Sequence, residues 1–182
     1  ATTNEVFVGS GSQTFIPGKA ESIPLVGKSQ PNLEAVLNFK PDLIVGLDWN
    51  DSVYSALSQI APTVLGKFDY SAWREYLSFL AEALGQQDAE EALWQHYNQR
   101  IEELNQALGD RYADKTVSFI YIGSGEISID TRNSFAGGIL KDANLQRPAS
   151  QDIDSTYGAY PISTEENDKA DGEVLLVTTF SN

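Results

Sequence analysis

The sequence predicts an α/β protein of two lobes bridged by one long helix. Three observations carry this reading. Strand and helix patterns alternate through the first half, one amphipathic pattern then runs unbroken over 86–112, and the alternation restarts at residue 117. The division that follows is an N-terminal lobe over 1–85, an inter-lobe helix over 86–113 and a C-terminal lobe over 114–182. Connections between parallel strands of such a layer are right-handed crossovers.

The first 22 residues are rich in Gly, Ser and Thr and read as an exposed irregular arm, with Val6, Phe7 and Val8 as its strand candidate. Apolar residues 23–26 make a short strand that stops at Gly27. A helix opens at Pro31-Asn32 with Leu33, Val36 and Leu37 on one face, and ends at Lys40 because a residue before proline avoids helical geometry. Residues 43–47 are continuously apolar, which predicts a parallel strand covered on both faces. Asp48-Trp49-Asn50 turns the chain, and Asp51 is placed to cap a helix running to about residue 59. Residues 61–64 make another strand. An amphipathic helix follows over 70–84 through Trp73, Leu77, Leu80 and Leu84, stopped by Gly85.

In the long helix, apolar residues fall at Ala89, Leu93, Tyr97, Ile101, Leu104 and Leu108, opposite Glu90, Glu91, Glu102 and Glu103. At 1.5 Å per residue it reaches about 40 Å, more than a crossover in a small sheet requires. Leu93, Tyr97, Ile101 and Leu104 are therefore expected to be buried and the four glutamates exposed. Beyond it come strands over 117–122 and 126–129, then a helix over 135–142 behind Asn133-Ser134. A polar loop holds Tyr157 to Tyr160, Ser163 and Glu166 form a capping box, and 174–178 reads as a final buried strand.

Composition narrows the function. Of 182 residues, 41% are hydrophobic and 10% aromatic, and mean hydropathy is −0.28, enough for a real core in a water-soluble chain. Twelve Lys and Arg against 26 Asp and Glu give a net charge of −14 with no basic run, which excludes nucleic acid and anionic lipid as partners. No apolar stretch approaches the roughly 20 residues of a membrane span. The absence of Cys removes disulfides, thiolate metal sites and cysteine nucleophiles. There is also no Met, and the chain starts at Ala1, which reads as a beginning lost to processing. The apolar strand near residue 182 gives the other end the same look.

Enzyme readings fail for want of parts. The single His96 reads as a surface or structural histidine, and one histidine cannot supply a side-chain metal site. Glu90-Glu91 and Glu102-Glu103 are neighbours on a helix and point apart. The loops at Gly9-Ser10-Gly11-Ser12 and Gly123-Ser124-Gly125 do not continue into a phosphate-cradling pattern, and there is no Gly-x-Ser-x-Gly elbow. No catalytic residue, metal site or cofactor is expected.

Ligands of open α/β sheets bind beyond the carboxyl ends of the strands. Those loops hold Lys28, Trp49 and Lys67 in the first half, and Arg132 and Tyr157 in the second. Any one of them is ordinary in a loop. As a set of cations and aromatics they suit a bulky, partly aromatic, anionic ligand.

The same segments carry a resemblance. Ser29-Gln30-Pro31-Asn32-Leu33-Glu34-Ala35-Val36-Leu37, Lys40-Pro41-Asp42-Leu43-Ile44-Val45 and Ile60-Ala61-Pro62-Thr63-Val64 closely resemble the N-terminal lobe of the iron-siderophore substrate-binding proteins of ABC importers. Asn133-Ser134-Phe135-Ala136-Gly137-Gly138-Ile139-Leu140, then Ile162 to Glu165 and Val174 to Val177, resemble the C-terminal lobe in the correct order.

The resemblance implies two three-layer α/β lobes of the class III periplasmic-binding-protein kind, a ligand cleft between them, and little lobe movement. It also implies that a strand and helix precede the position of Ala1 and that further elements follow that of Asn182. Self-association of the shortened chain is a further expectation. Carried over by position, Lys28, where members often have Arg, Trp49, Arg132 and Tyr157 contact ligand. Glu165, with Asp51 as the nearest acid in the first lobe, docks on the membrane permease.

The implied mechanism is capture without chemistry of a ferric siderophore that keeps its iron on its own oxygens. The implied location is periplasmic or cell-surface, with a lipid anchor on the precursor. A cobalamin or heme carrier of the same fold, a small flavodoxin-type enzyme and a ligand-free fragment are the alternatives.

Overall fold

A computed structural model describes residues 7–8, 25–27, 30–67, 69, 71–123 and 125–179. The chain divides into two compact units, Ala1–Phe68 and Asp69–Asn182. The sequence places this boundary at 85/86. The units divide earlier because the helix that precedes residue 85 packs on the long helix that follows it.

In the first unit, β1 (Phe7–Val8) lies parallel to β2 (Leu25–Gly27), and β3 (Ile44–Leu47) parallel to β4 (Thr63–Gly66), with Ile44 opposite Thr63. Helices α1 (Leu33–Phe39) and α2 (Asp51–Leu57) lie between the strands in sequence. The Asn32 side-chain oxygen accepts from the Ala35 N–H at 3.1 Å and starts α1. Lys40 ends it in the left-handed region at φ 50° and donates its N–H to the Leu37 carbonyl at 3.2 Å.

Val26, Val36 and Leu57 form the core, with Leu33, Phe39, Ile44, Val53 and Ile60 packed around them. Each fully buried aliphatic side chain is worth about 1.5–3 kcal/mol. The inner face of α1 is thus Leu33, Val36 and Phe39, whereas Leu37 is 57% exposed. Nor is β3 covered on both faces, since its residues are half-buried. Asp51 is not a cap. A 3-10 turn, Asp48–Asn50, leads directly into α2, so Asp51 is already helical and its N–H donates to the Asp48 carbonyl.

The second unit opens with α3 (Trp73–Leu84), which stops at Gly85 with φ 63°. Next comes α4 (Gln87–Leu108), prolonged by a 3-10 turn, Gly109–Tyr112. A four-stranded sheet follows, in the order β7-β6-β5-β8. Here β5 (Val117–Gly123) and β6 (Glu126–Asp130) form an antiparallel hairpin, β7 (Ala159–Ile162) is antiparallel to β6, and β8 (Val174–Thr179) is parallel to β5. Helix α5 (Phe135–Asp142) has the bounds the sequence predicts. Ile120, Ile129 and Ile162 centre the core.

Three expectations change. Residues 159–162 are an edge strand rather than loop. The final strand β8 is not buried: Leu175, Leu176 and Val177 are 49%, 40% and 50% exposed, and among the described residues it pairs only with β5. On α4, Leu93 and Leu104 are 47% and 39% exposed, and the inward stripe is Glu90, Trp94, Tyr97, Ile101, Asn105 and Leu108, all half-buried. Glu91, Glu102 and Glu103 are exposed as expected.

Trp94 is the reason for the rotated stripe. Its ring packs on Trp73 at 5.6 Å, and its indole N–H donates to Glu90 at 3.2 Å. Beside it, Asp142 accepts from Arg74 and from the Tyr97 hydroxyl at 2.5 Å, which ties together α3, α4 and α5. The Arg74 guanidinium lies 4.7 Å from the Trp73 ring and 5.3 Å from that of Trp94.

Candidate functional site

The candidate site is built where β6 ends. The turn 131–134 joins β6 to α5, and Ser134 fixes the start of α5 by accepting the Gly137 N–H at 2.8 Å. A side chain at Gly137 would meet the carbonyl oxygens of Thr131 at 2.2 Å and Arg132 at 2.7 Å, so only glycine lets the helix approach the turn this closely.

A second loop, 151–158, is stitched to this turn. The Thr131 N–H donates to Gly158 O at 2.8 Å, and the Arg132 N–H to Ile153 O at 3.1 Å. The Asn133 amide donates to Ser155 O at 2.8 Å and accepts from the Ser155 N–H at 3.1 Å. From behind, Arg147 donates to the carbonyls of Asp130 and Thr131 and, at 3.0 Å, to Gln151 Oε1. Burial pulls the Arg147 guanidinium below its usual range and pushes the Asp130 carboxyl above the usual carboxylate range. The Nε of Arg147 is buried with no hydrogen-bond partner.

This frame presents Arg132, Phe135 and Tyr157. The last two are 57% and 68% exposed. Tyr157 sits next to Gly158, whose missing side chain would stand 3.1 Å from the Ser134 Cα, so the tyrosine joins the chain against the turn that holds Arg132. Phe135 is set edge-on to Trp73, ring centres 4.9 Å apart.

The Arg132 guanidinium is already occupied. Nε and Nη2 donate to the two carboxylate oxygens of Asp154 at 2.9 and 2.8 Å, and Nη1 donates to the Asp152 carbonyl at 3.2 Å. The Asp152 carboxylate lies 3.9 Å away. Hydrogen bonding by Asp154 raises the Arg132 guanidinium, and that from Arg132 lowers the Asp154 carboxyl.

The structure thus brings Arg132 and Tyr157 onto adjoining loops. Lys67 is exposed in the first unit, directly after β4. Trp49 lies in the 3-10 turn after β3, and its side chain lies outside the described residues, as does Lys28 altogether. Asp51 is exposed at the start of α2. Glu165 is exposed in a 3-10 segment, Thr164–Ala170, where the Glu166 carboxylate accepts from the Ser163 N–H at 3.2 Å and from its hydroxyl at 3.1 Å, the expected capping box. Lys169 and Ser163 pull Glu166 down to about 2. His96 is exposed.

Sequence reasoning missed three residues. Phe135 was readable as the first residue after a capping serine. Asp154 and Arg147 gave no signal, since their partners lie 22 and 17 residues away. Among the described residues no three His, Cys, Asp or Glu are grouped to hold a metal ion, and no helix is long and apolar enough to cross a membrane. A cavity of about 330 Å³ lies at the other end of α5, lined by Leu108, Asp110, Tyr112, Asn144 and Leu145 among others.

A rigid, capped turn that offers aromatic and cationic side chains at a strand end is the equipment of a substrate-binding protein. The chain belongs to the periplasmic binding protein family, whose model matches residues 9–181. It is similar to the probable siderophore-binding lipoprotein YfiY of Bacillus subtilis, at 34% identity over 159 residues, which are 84% of this chain and 49% of the relative. The iron-uptake system-binding protein of the same organism is 28% identical over 135 residues, 73% of this chain and 42% of the relative.

The chain spans about half the length of the curated relatives it matches. Among solved structures, the siderophore periplasmic binding protein from the fuscachelin gene cluster of Thermobifida fusca matches with a TM-score of 0.72 and 28% identity, over 86% of this chain and 61% of that one. SirA of Staphylococcus aureus complexed with staphyloferrin B shares the fold, with a TM-score of 0.77 and 24% identity, over 96% of this chain and 63% of that one.

Proposed function

We propose that this protein binds a ferric siderophore outside the cytoplasm and hands it to an ABC import permease. The observation that carries the reading is the stitched pair of loops at the end of β6, which offers Arg132, Phe135 and Tyr157 in a family whose similar members are named for siderophores. Trp49, Lys67 and Lys28 supply further contacts from the strand ends of the first unit.

No bond is made or broken in this role. The siderophore holds the ferric ion on its own oxygens, so the protein contributes surface, charge and orientation rather than iron ligands or a resident cofactor. Aromatic rings cover the apolar body of the ligand while cations meet its oxygens. Glu165, and in the first unit Asp51, offer exposed carboxylates for docking on the permease.

The test is a tryptophan-fluorescence titration with ferric siderophores of hydroxamate, catecholate and carboxylate type, the same siderophores without iron, cobalamin and heme. Saturable quenching by at least one ferric siderophore, weaker with its iron-free form, is expected. Binding of cobalamin or heme alone would replace the substrate assignment.

A further inference from the structure

We infer that Asp154 is a specificity-determining residue of the binding site, a resident stand-in for an anionic ligand that turns the Arg132 loop toward ferric complexes without net negative charge. The inference rests on the proposed siderophore-binding role and adds to it the charge class of the ligand.

Three observations carry it. First, the Arg132 fork is spent within the chain. Its Nε and Nη2 make with Asp154 the paired, parallel hydrogen bonds that a guanidinium makes with an incoming carboxylate or hydroxamate, at 2.9 and 2.8 Å. The third nitrogen is engaged by the Asp152 carbonyl at 3.2 Å. A ligand oxygen that needs Arg132 must displace a carboxylate already tethered beside it.

Second, the local charge has the wrong sign for an anion. One guanidinium faces the carboxylates of both Asp152 and Asp154, at 3.9 and 2.8 Å. The loop therefore carries a net negative charge when a ligand arrives. An anionic complex meets repulsion there, whereas a neutral or cationic one does not.

Third, the backbone leaves Asp154 no other place. The Arg132 N–H is bonded to Ile153 O at 3.1 Å and Asn133 to Ser155 on both sides, so the residues flanking Asp154 are fixed to the turn that carries Arg132. Side-chain rotation is the remaining freedom. It is an accessible one, because the side chains of Arg132 and Asp154 are 49% and 61% exposed, and a pair this open is weak enough to exchange.

Asp154→Asn removes the charge but keeps an oxygen to accept from Arg132, which separates selectivity from a role in holding the loop. The probes are a neutral ferric trihydroxamate and a ferric tris-catecholate, a trianion, titrated against the protein and its variants with thermal unfolding as the check on folding. The wild type is expected to prefer the neutral complex. Asp154→Asn is expected to tighten the tris-catecholate by about tenfold and to leave the trihydroxamate within about twofold.

Asp152→Asn is expected to act in the same direction more weakly, since its carboxylate is 3.9 Å away rather than bonded. Arg132→Gln added to Asp154→Asn is expected to cancel the gain. Equal effects of Asp154→Asn on both complexes, or no effect on either while both still bind, would overturn the inference and leave the siderophore reading standing. A protein that binds no ferric siderophore, variant or not, would overturn that reading and this inference with it.

Discussion

Arg132 and Asp154, 22 residues apart, face each other through two parallel hydrogen bonds of 2.9 and 2.8 Å on the rim of the loop pair that ends β6. The cation that follows β6 is thus not a bare positive charge but half of an ion pair. Its contribution to ligand binding is the difference between what it gains from ligand and what it gives up with Asp154.

That difference sets the expected effect of Arg132→Ala. An arginine whose one partner is the ligand, in a desolvated pair, would cost about 2–5 kcal/mol of binding on truncation. Arg132 is half-exposed and already paired, so a loss of about three- to tenfold in affinity is expected, greater for anionic than for neutral ferric complexes. Fluorescence titration of the variant measures it, and an unchanged affinity for every complex would remove Arg132 from the site.

Phe135 should matter through its exposed ring. Phe135→Ala is expected to weaken ferric siderophore binding by about three- to tenfold and to alter the emission of Trp73, whose ring it meets edge-on at 4.9 Å. Trp49→Phe supplies the background for this measurement, because it leaves Trp73 and Trp94 as the emitters. If Phe135→Ala changes emission without changing affinity, the ring is packing and not contact.

The cluster of Arg74, Asp142 and Tyr97 should give the protein two pH limits. For Asp142 burial pushes upward, but hydrogen bonds from Tyr97 and Arg74 outweigh it and hold the carboxyl below its ordinary 3.8. Burial and the bond to Asp142 hold Tyr97 above its ordinary 10.0. Stability from Asp142 is present above its unfolded value and lost as pH falls through the lowered one. Stability from Tyr97 is full below 10.0 and lost as pH rises through its raised value.

Asp142→Asn is therefore expected to remove part of the acid limb of a melting-temperature profile, and Tyr97→Phe part of the alkaline limb. Each costs about 1 kcal/mol at neutral pH, a modest figure because the Arg74 side chain is 40% exposed. Profiles of both variants that parallel the wild type would show that the cluster does not couple to folding.

The strand β8 carries Leu175, Leu176 and Val177 on display. Exposed apolar edge strands recruit further strands. The 182-residue chain by itself is expected to bind an apolar fluorescent dye and to self-associate with rising concentration, and Val177→Lys to reduce both. Sedimentation of a monomer that binds no dye would contradict this.

Glu165→Ala separates binding from delivery. Its carboxylate is exposed and lies outside the Arg132 loops, so ferric siderophore affinity is expected to stay within about twofold while uptake in cells falls. Unchanged uptake would remove Glu165 from the docking surface.

What the sequence revealed follows from how local each signal is. Helix α5 was legible to the residue because Ser134 caps it and its apolar pattern begins at once. The strands β3 and β4 were legible as two strands of an α/β layer because a helix separates two apolar runs, although β4 lies two residues later than the run over 61–64. In contrast β7 was hidden, since only Ile162 of its four residues is buried and Pro161 suits an edge.

The inward face of α4 differs from its apolar stripe because a second stripe, with Glu90 and Asn105 at two of its positions, runs beside the first. Tyr97, Ile101 and Leu108 belong to both, and the pairing of Trp94 with Trp73 decides between them. The ion pair at Arg132 could not be read at all, because nothing in a 22-residue separation marks two side chains as partners.

Adjacent glycines at the head of α5 illustrate a hazard for anyone mapping this protein by exhaustive substitution. At Gly138 the nearest atom a methyl group would approach is the indole nitrogen of Trp73 at 3.8 Å, so alanine fits there. At Gly137 the same methyl would drive into backbone oxygen at 2.2 Å and lever the Arg132 peptide out of place. A screen scored by iron uptake would therefore rank position 137 among the residues most needed for the ligand, and position 138 among the dispensable ones. Gly137 has no side chain with which to touch a siderophore, and its intolerance would record the spacing of two pieces of main chain.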